Sequence, residues 1–251
     1  MKLSGNTIFI TGGGSGIGRG LAEALHKLGN KVIISGRRRG HLDAVVAANP
    51  GMEAVELDVA DPASITAVAK RLVADHPTLN VLINNAGVMI PDTAAGAIDE
   101  GVLAAEVETN LLGPIRMTAA LIDHLKRQDR AWVIYNSSAL AFTPLAPFAV
   151  YSATKAAIHS YALSQRFMLR DTAVKVQEIA PPWVATELLG SPDPRAMPLD
   201  AFIEGTIKAL ETDAEEVLVE EAKVHRNNVG PAEHAYVAEL NTFMLQALAG
   251  G

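Results

Sequence analysis

Thr11-Gly12-Gly13-Gly14-Ser15-Gly16-Ile17-Gly18 is the stretch on which the fold turns. It follows the apolar run Thr7–Thr11, which reads as a strand, and it opens a helical stretch over 16–28. Glycines at a strand-to-helix turn let the backbone bend sharply and approach a pyrophosphate. The free N–H groups at the helix start then present partial positive charge to it. A glycine run alone could be a simple turn. Its place in the first strand–helix unit makes Gly12, Gly14, Ser15, Gly16, Ile17 and Gly18 candidates for dinucleotide binding.

Outward from this loop, short β-rich runs alternate with longer helical stretches. Strands are expected at Thr7–Thr11, Lys31–Ser35, Glu53–Leu57, Val81–Asn84, Ala131–Asn136, Lys175–Ile179 and Val217–Val219. Helices are expected near 16–28, 62–75, 102–126, 150–170, 198–211 and 232–248. Several strand runs are continuously apolar, as in parallel strands buried on both faces. The alternation predicts an α/β fold: a Rossmann-type doubly wound parallel sheet of about seven strands with helices on both faces, binding ligands at the carboxyl edge. No linker divides the chain, so residues 1–251 are expected to form a single domain. Gly190, Pro192, Pro194 and Pro198 crowd the segment Glu187–Pro198. It reads as a surface connection or, because it follows a strand on the ligand edge, as a substrate loop and lid near 187–200.

Composition narrows the function classes. Hydrophobic residues make up 49% and charged residues 20%, as in an ordinary globular protein. The net charge of -7 argues against nucleic acid or an anionic membrane as partner. The basic cluster Arg37-Arg38-Arg39 is too small for a nucleic-acid footprint. There is no cysteine, which excludes disulfides, thiolate metal sites and a cysteine nucleophile, and no metal site is expected. No apolar run reaches the ~18 residues a membrane span needs, and the N-terminus does not read as a secretory signal, so a cytoplasmic location is expected.

Strand two ends in Ile34-Ser35-Gly36-Arg37-Arg38. NAD-binding units usually place a carboxylate there for the ribose 2′-hydroxyl. Gly36 stands in its place, and Arg37 offers a planar charged fork suited to a 2′-phosphate, with Arg38 as a second candidate. Equally, Arg37–Arg39 could be a solvated turn starting the next helix. NADP(H) is the preferred cofactor on this reading.

Tyr151-Ser152-Ala153-Thr154-Lys155 puts a tyrosine and a lysine four apart at the start of a helix, hence on one face. A phenol with its ordinary pKa of ~10 is a poor base at neutral pH. A neighbouring ammonium is expected to lower that pKa. Such pairs are common on helices, so context matters. Ser138 follows the Ala131–Asn136 strand, where it could equally be a turn residue. Asn110, in Glu106-Val107-Glu108-Thr109-Asn110, is a mediocre helix former and could simply mark a helix bend.

The form TGxxxGIG over Thr11–Gly18, Asn84-Asn85-Ala86-Gly87 at the end of strand four, and the Tyr151–Lys155 pair resemble the short-chain dehydrogenase/reductase family, in its single-domain branch. The motifs run in order from residue 5 to about 190. The resemblance implies an NADP(H)-dependent oxidoreductase that reduces a ketone or aldehyde, reversibly. It implies a catalytic tetrad of Asn110, Ser138, Tyr151 and Lys155. Tyr151 exchanges the proton and Ser138 bonds the substrate oxygen. Lys155 bonds the nicotinamide ribose, and Asn110 holds a relay water. It also implies cofactor contacts for Asp58 and Val59, for Asn85, Ala86 and Gly87, and for Pro181, Val184 and Thr186. Ser15 is not the basic residue some NADP-specific relatives carry, so NAD(H) stays possible.

The match departs at Pro182, where relatives usually have glycine. The neighbouring Trp183 either walls the pocket or packs under the loop. The substrate pocket is expected from Ser138, Leu140, Leu145, Phe148, Tyr151 and Trp183, mostly apolar, which points to a hydrophobic carbonyl or alcohol. The resemblance further implies a homodimer through helices 102–126 and 150–170, a tetramer being possible. The charged Glu221–Gly230 and the helix after it look more like the branch associated with D-alanine transfer to teichoic acids. A catalytically silent NADP-binding sensor or scaffold is the competing class. Such proteins usually lack the tyrosine or lysine, and both are present here.

Overall fold

The computed structural model describes residues 1–190, 193–212 and 214–249. Seven strands form one parallel sheet: β1 (Thr7–Thr11), β2 (Lys31–Gly36), β3 (Glu53–Glu56), β4 (Leu79–Asn84), β5 (Ala131–Asn136), β6 (Val174–Ile179) and β7 (Glu216–Val217). Their spatial order is β3-β2-β1-β4-β5-β6-β7. The chain winds outward from β1 through β2 and β3, then returns to start the other half at β4. The order reverses between β1 and β4, so the loops after these strands diverge and leave a crevice at their carboxyl ends.

Alternate side chains of each strand serve opposite layers. Ile8, Ile10, Ile34, Ile83 and Ile134 join one core with α1 (Gly16–Lys27), α2 (Arg39–Ala48) and α7 (Leu199–Leu210). Phe9, Ile33, Leu82, Val133 and Tyr135 join the other with α3 (Pro62–Asp75), α5 (Gly113–Leu125) and α6 (Ala149–Leu169). The apolar runs are continuous because both faces of the sheet are covered.

The expected elements recur with shifted ends, and three differences have physical causes. α2 was anticipated only as a helix start after Arg39: it is short, and Leu42 and Val45 are its buried residues. The expected helix over 102–126 is divided into α4 (Glu100–Val107), a π turn at Glu108–Leu112, and α5. Gly113 begins α5 hard against the β3–α3 connection, where an added Cβ would sit 2.8 Å from the Val59 carbonyl oxygen. The charged stretch after β7 forms a helix, α8 (Glu220–Asn227), with Ala222 as its buried residue, so periodicity could not reveal it. A last helix, α9, spans Glu233–Ala249.

The expected lid begins with a 3-10 turn at Glu187–Leu189. Its base is closed by Met197 N–H donating to the Trp183 carbonyl and Ala185 N–H to the Met197 carbonyl, both at 2.9 Å. Ser191 and Pro192, which belonged to that expectation, lie outside the described residues. Among the described residues, no helix is long and apolar enough to cross a membrane.

Phe9 is fully buried at the centre of the sheet. Phe9→Ala should destabilise the protein by about 3–5 kcal/mol, through lost burial and an unfilled cavity. Urea unfolding of parent and variant measures this directly.

Candidate active site

The glycine loop follows β1 and is built around close approach. Gly12 (φ 70°) and Gly16 (φ 52°) adopt the left-handed backbone that glycine tolerates. A Cβ on Gly18 would fall 2.2 Å from the Gly12 carbonyl oxygen and 2.3 Å from Asn85 Nδ2, so no side chain fits there. The loop is stitched to the end of β4. Thr11 Oγ1 accepts N–H bonds from Asn85 (3.0 Å) and Ala86 (3.1 Å). Asn85 Nδ2 donates to the carbonyls of Thr11 (3.0 Å) and Gly12 (3.2 Å). Asn136, ending β5, donates to Asn85 Oδ1 at 2.8 Å and extends the seam by one strand.

Ser15 caps α1 in extended backbone without a side-chain capping bond. Its hydroxyl instead accepts from Arg38 Nη2 at 3.0 Å. Arg38 thus reaches from the end of β2 to the glycine loop, and Arg37 borders the same space. Asp58 Oδ1 accepts from Ala60 N–H at 2.9 Å, which turns the chain at the end of β3.

A cavity of about 910 Å³ runs from this loop across the strand ends. Every residue expected to contact cofactor borders it: the glycine-loop residues, Arg37, Arg38, Asp58, Val59, Asn85, Ala86, Gly87, Tyr151, Lys155, Pro181, Val184 and Thr186. So do Ser138, Leu140, Leu145, Phe148 and Trp183 from the expected substrate pocket. Trp183 borders the cavity while 37% exposed, with the Arg195 guanidinium 5.5 Å from its ring centroid. It therefore walls the mouth. The Pro181 carbonyl accepts from Ala139 N–H at 2.8 Å, so the chain beside Pro182 stays tied to the β5 loop.

Tyr151 and Lys155 project from the first turns of α6, and both are buried. Lys155 Nζ donates to the Asn136 carbonyl at 2.8 Å and lies 5.4 Å from the Tyr151 ring centroid. Burial pushes the Tyr151 phenol up to about 12, opposed by a hydrogen bond with Ser138 and reinforced by the charge of Glu106. Burial pushes Lys155 down to about 8, opposed by the charge of Glu178. This corrects the expectation of a lowered phenol pKa. Both groups lose water together, and for the phenol that outweighs any help from the ammonium. In this setting the Tyr151 phenol is held in its neutral, protonated form.

Asn110 is the member that does not border the cavity. It lies behind it, in the π turn, almost wholly buried. Its Oδ1 accepts from Val88 N–H (2.9 Å), and its Nδ2 donates to the Val88 carbonyl (2.8 Å) and Thr154 Oγ1 (3.3 Å). The extra π residue turns this amide onto the β4 loop. Around Gly87, a Cβ would meet Asn110 Oδ1 at 3.3 Å and Lys155 Nζ at 3.6 Å, so the two side chains flank one backbone position.

Other residues of the cavity wall gave no signal in the sequence reading. His41 comes from α2, Met89 and Ile90 follow the asparagine motif, His225 comes from α8, and Leu240 and Met244 come from α9. The α9 pair lies one helical turn apart, but nothing local says that this face meets the site. Asn241, between them, donates to the Pro144 carbonyl at 2.9 Å and holds α9 against the loop before α6.

The family model for short chain dehydrogenase matches residues 6–195. The chain is 43% identical over 189 residues to an uncharacterized oxidoreductase, DltE, of Bacillus subtilis, covering 75% of each. It is 31% identical over 175 residues to an NADP-dependent 3-hydroxy acid dehydrogenase, YdfG, of Salmonella typhi, covering 69% of this chain and 71% of that one. A short chain dehydrogenase from Burkholderia cenocepacia, solved in complex with NADP, superposes with a TM-score of 0.85 at 28% identity, covering 96% of this chain and 99% of that chain. The protein belongs to the short-chain dehydrogenase/reductase family of oxidoreductases, on a Rossmann-type fold.

Gly18→Ala should cost about 1–3 kcal/mol, because its methyl meets the Gly12 backbone carbonyl and the Asn85 amide, which is itself pinned by bonds to the Thr11 and Gly12 carbonyls. A fall in Tm of the ligand-free protein is the expected readout.

Proposed function

We propose that the protein is an NADP(H)-dependent reductase of ketones or aldehydes, reversible as an alcohol dehydrogenase. The observation that carries this is the placement of Ser138, Tyr151 and Lys155 on one cavity that begins at the glycine loop. The residues present suit a dinucleotide. The glycine seam leaves no room for side chains, the first turn of α1 has no side-chain cap, and β2 ends on Gly36 with two arginines beyond it. Once bound, the nicotinamide supplies the hydride.

The chain's own residues do the rest. Gly12, Gly14, Ser15, Gly16, Ile17 and Gly18 would hold the pyrophosphate, and Arg37 and Arg38 the 2′-phosphate. The NADP of the Burkholderia neighbour and the NADP-dependent name of the Salmonella relative support that preference. Ser138 orients and polarises the substrate oxygen, and Tyr151 donates its proton to the developing alkoxide. Lys155 bonds the ribose and, with Asn110 behind it, restores the proton. Leu140, Leu145 and Phe148, joined by Met89 and Met244, give the substrate end an apolar wall suited to a hydrophobic carbonyl. The presence of both Tyr151 and Lys155 weighs against a silent sensor or scaffold. The likeness to DltE supports the branch suggested by the C-terminal stretch. Leu163, Phe167 and Met168 stand exposed along α6, which supports a homodimer through α5 and α6.

Steady-state NADPH oxidation over a panel of carbonyls tests the reading. Turnover is expected with aryl ketones ahead of keto acids, and no turnover with any carbonyl would sink the proposal. Tyr151→Phe should lose about 10²–10⁴-fold in kcat while still binding NADPH by fluorescence titration. Alanine at both Arg37 and Arg38 should raise KM for NADPH and leave KM for NADH nearly unchanged. The pH dependence has a definite sign. Reduction needs the Tyr151 phenol and the Lys155 ammonium, so it should fall as pH rises through about 8, where Lys155 loses its proton. Alcohol oxidation needs the phenolate and should rise with pH.

A further inference from the structure

Behind the Asn136–Ser138 turn lies a buried ionic network that the proposed chemistry does not use. Glu178, the next-to-last residue of β6, has no exposed surface. Its Oε1 accepts from Ser137 Oγ at 2.5 Å, and its Oε2 lies 2.8 Å from His159 Nδ1. His159 sits on α6 one turn beyond Lys155, with its ring edge-on to Phe142 at 4.9 Å. Glu216 of β7 stands beside Glu178 in the sheet, but it has its own counter-charge: Arg226 of α8 bonds both its oxygens, at 2.8 and 3.1 Å. Ligand atoms of His159, Glu178 and Glu216 lie within 4.8 Å of one another. All four carboxylate oxygens are already engaged, so the cluster works as a hydrogen-bonded network and not as a cation site.

A buried carboxylate is costly unless it is bonded and balanced. Arg226 is committed to Glu216, and Arg166 of α6 faces Glu215 and the Val176 carbonyl. His159 is the basic group in contact with Glu178, while Lys155 and Arg226 feel its charge through space. Lys155 in turn bonds the carbonyl of Asn136, one residue before Ser137. Resting on the proposed reductase reading, we propose that Glu178 is a positioning residue of the active site: it clamps the Asn136–Ser138 turn through Ser137, and with it the Asn136 carbonyl that holds Lys155 Nζ, and it sets a negative charge behind that lysine. Lys155 is already pulled down by burial, and Glu178 is the charge that opposes this.

Glu178→Gln tests the charge while keeping the shape and two hydrogen-bonding positions. The alkaline limb of carbonyl reduction should move to lower pH by on the order of one unit, the size expected for losing one close opposite charge. Lysine-selective ¹³C NMR of the free protein, with Lys155→Arg identifying the resonance, should show the Lys155 titration moving by the same amount. A titration that stays in place overturns the charge role even if kcat falls. The NMR readout needs no substrate, so a parent protein without turnover would sink the reductase reading and leave Glu178 to be judged on its own. Ser137→Ala tests the clamp with the carboxylate intact. A severalfold fall in kcat with the Lys155 titration unmoved is expected, and an unchanged kcat overturns the clamp. If Glu178→Gln does not fold, the Ser137→Ala result decides.

Discussion

The hydroxyl of Thr11 accepts two backbone N–H groups, from Asn85 and Ala86, and the Asn85 amide returns two bonds to the carbonyls of Thr11 and Gly12. This exchange spans the place where the two halves of the sheet part. A doubly wound sheet leaves backbone polar groups without a ladder partner there, because the chain after β1 turns one way and the chain after β4 the other. Side chains must satisfy them, and in doing so they fix how closely the two loops approach. The contact is so tight that Gly18 has no space for a methyl. The glycine loop, the asparagine motif and, through Asn136, the end of β5 thus form one rigid floor. Lys155 is anchored to that floor by the Asn136 carbonyl.

Rigidity of the floor matters because the chemistry proposed for it depends on burial. Tyr151 and Lys155 are both removed from water, and each is pushed toward its neutral form. An acid for carbonyl reduction gains from this: the phenol stays protonated until a developing alkoxide asks for the proton. A lysine gains nothing from it, since the ammonium proposed to bond a ribose is the form that burial disfavours. Burial serves one partner and penalises the other, so the deep packing of the pair calls for a negative charge behind the lysine to offset part of that cost. Glu178 meets it from a strand, the most rigid support the fold offers.

Much of this was readable from the chain because the signals are local. Gly12, Gly16 and Gly18 announce backbone constraints that only glycine meets, and the apolar runs of β1, β4 and β5 announce strands covered on both sides. Tyr151 and Lys155 share a face by helical spacing alone. What could not be read has long-range causes. The π turn at Glu108–Leu112 stands directly before Gly113, which packs against Val59 about fifty positions earlier in the chain, a contact that local spacing does not encode. The phenol pKa moves upward because of tertiary burial, which the four-residue spacing does not encode. α8 carries too few buried residues for a periodic signal, and Glu178 in Val174–Ile179 looks like a polar interruption until its partners on α6 and the β5 loop are seen.

The same division of local from long-range signals bears on specificity. The residues proposed to bind and position lie before residue 195, where the family model matches. The far wall of the cavity draws on His225, Leu240 and Met244, beyond that match. His225 comes from α8, and Asn241 helps to hold the α9 pair in place by bonding the loop before α6. The apolar wall of Leu145 and Phe148 is completed by Met244 of α9, a helix also held by Asn241 on the loop before α6, by Arg195 on the Ala247 carbonyl and by Tyr236 beside His225. Substitutions in α9 can reshape the substrate end without disturbing the floor that holds the cofactor and the proton donor. A fold of this kind can keep the chemistry proposed for its floor while its substrate changes, since the two are carried by different segments of the chain.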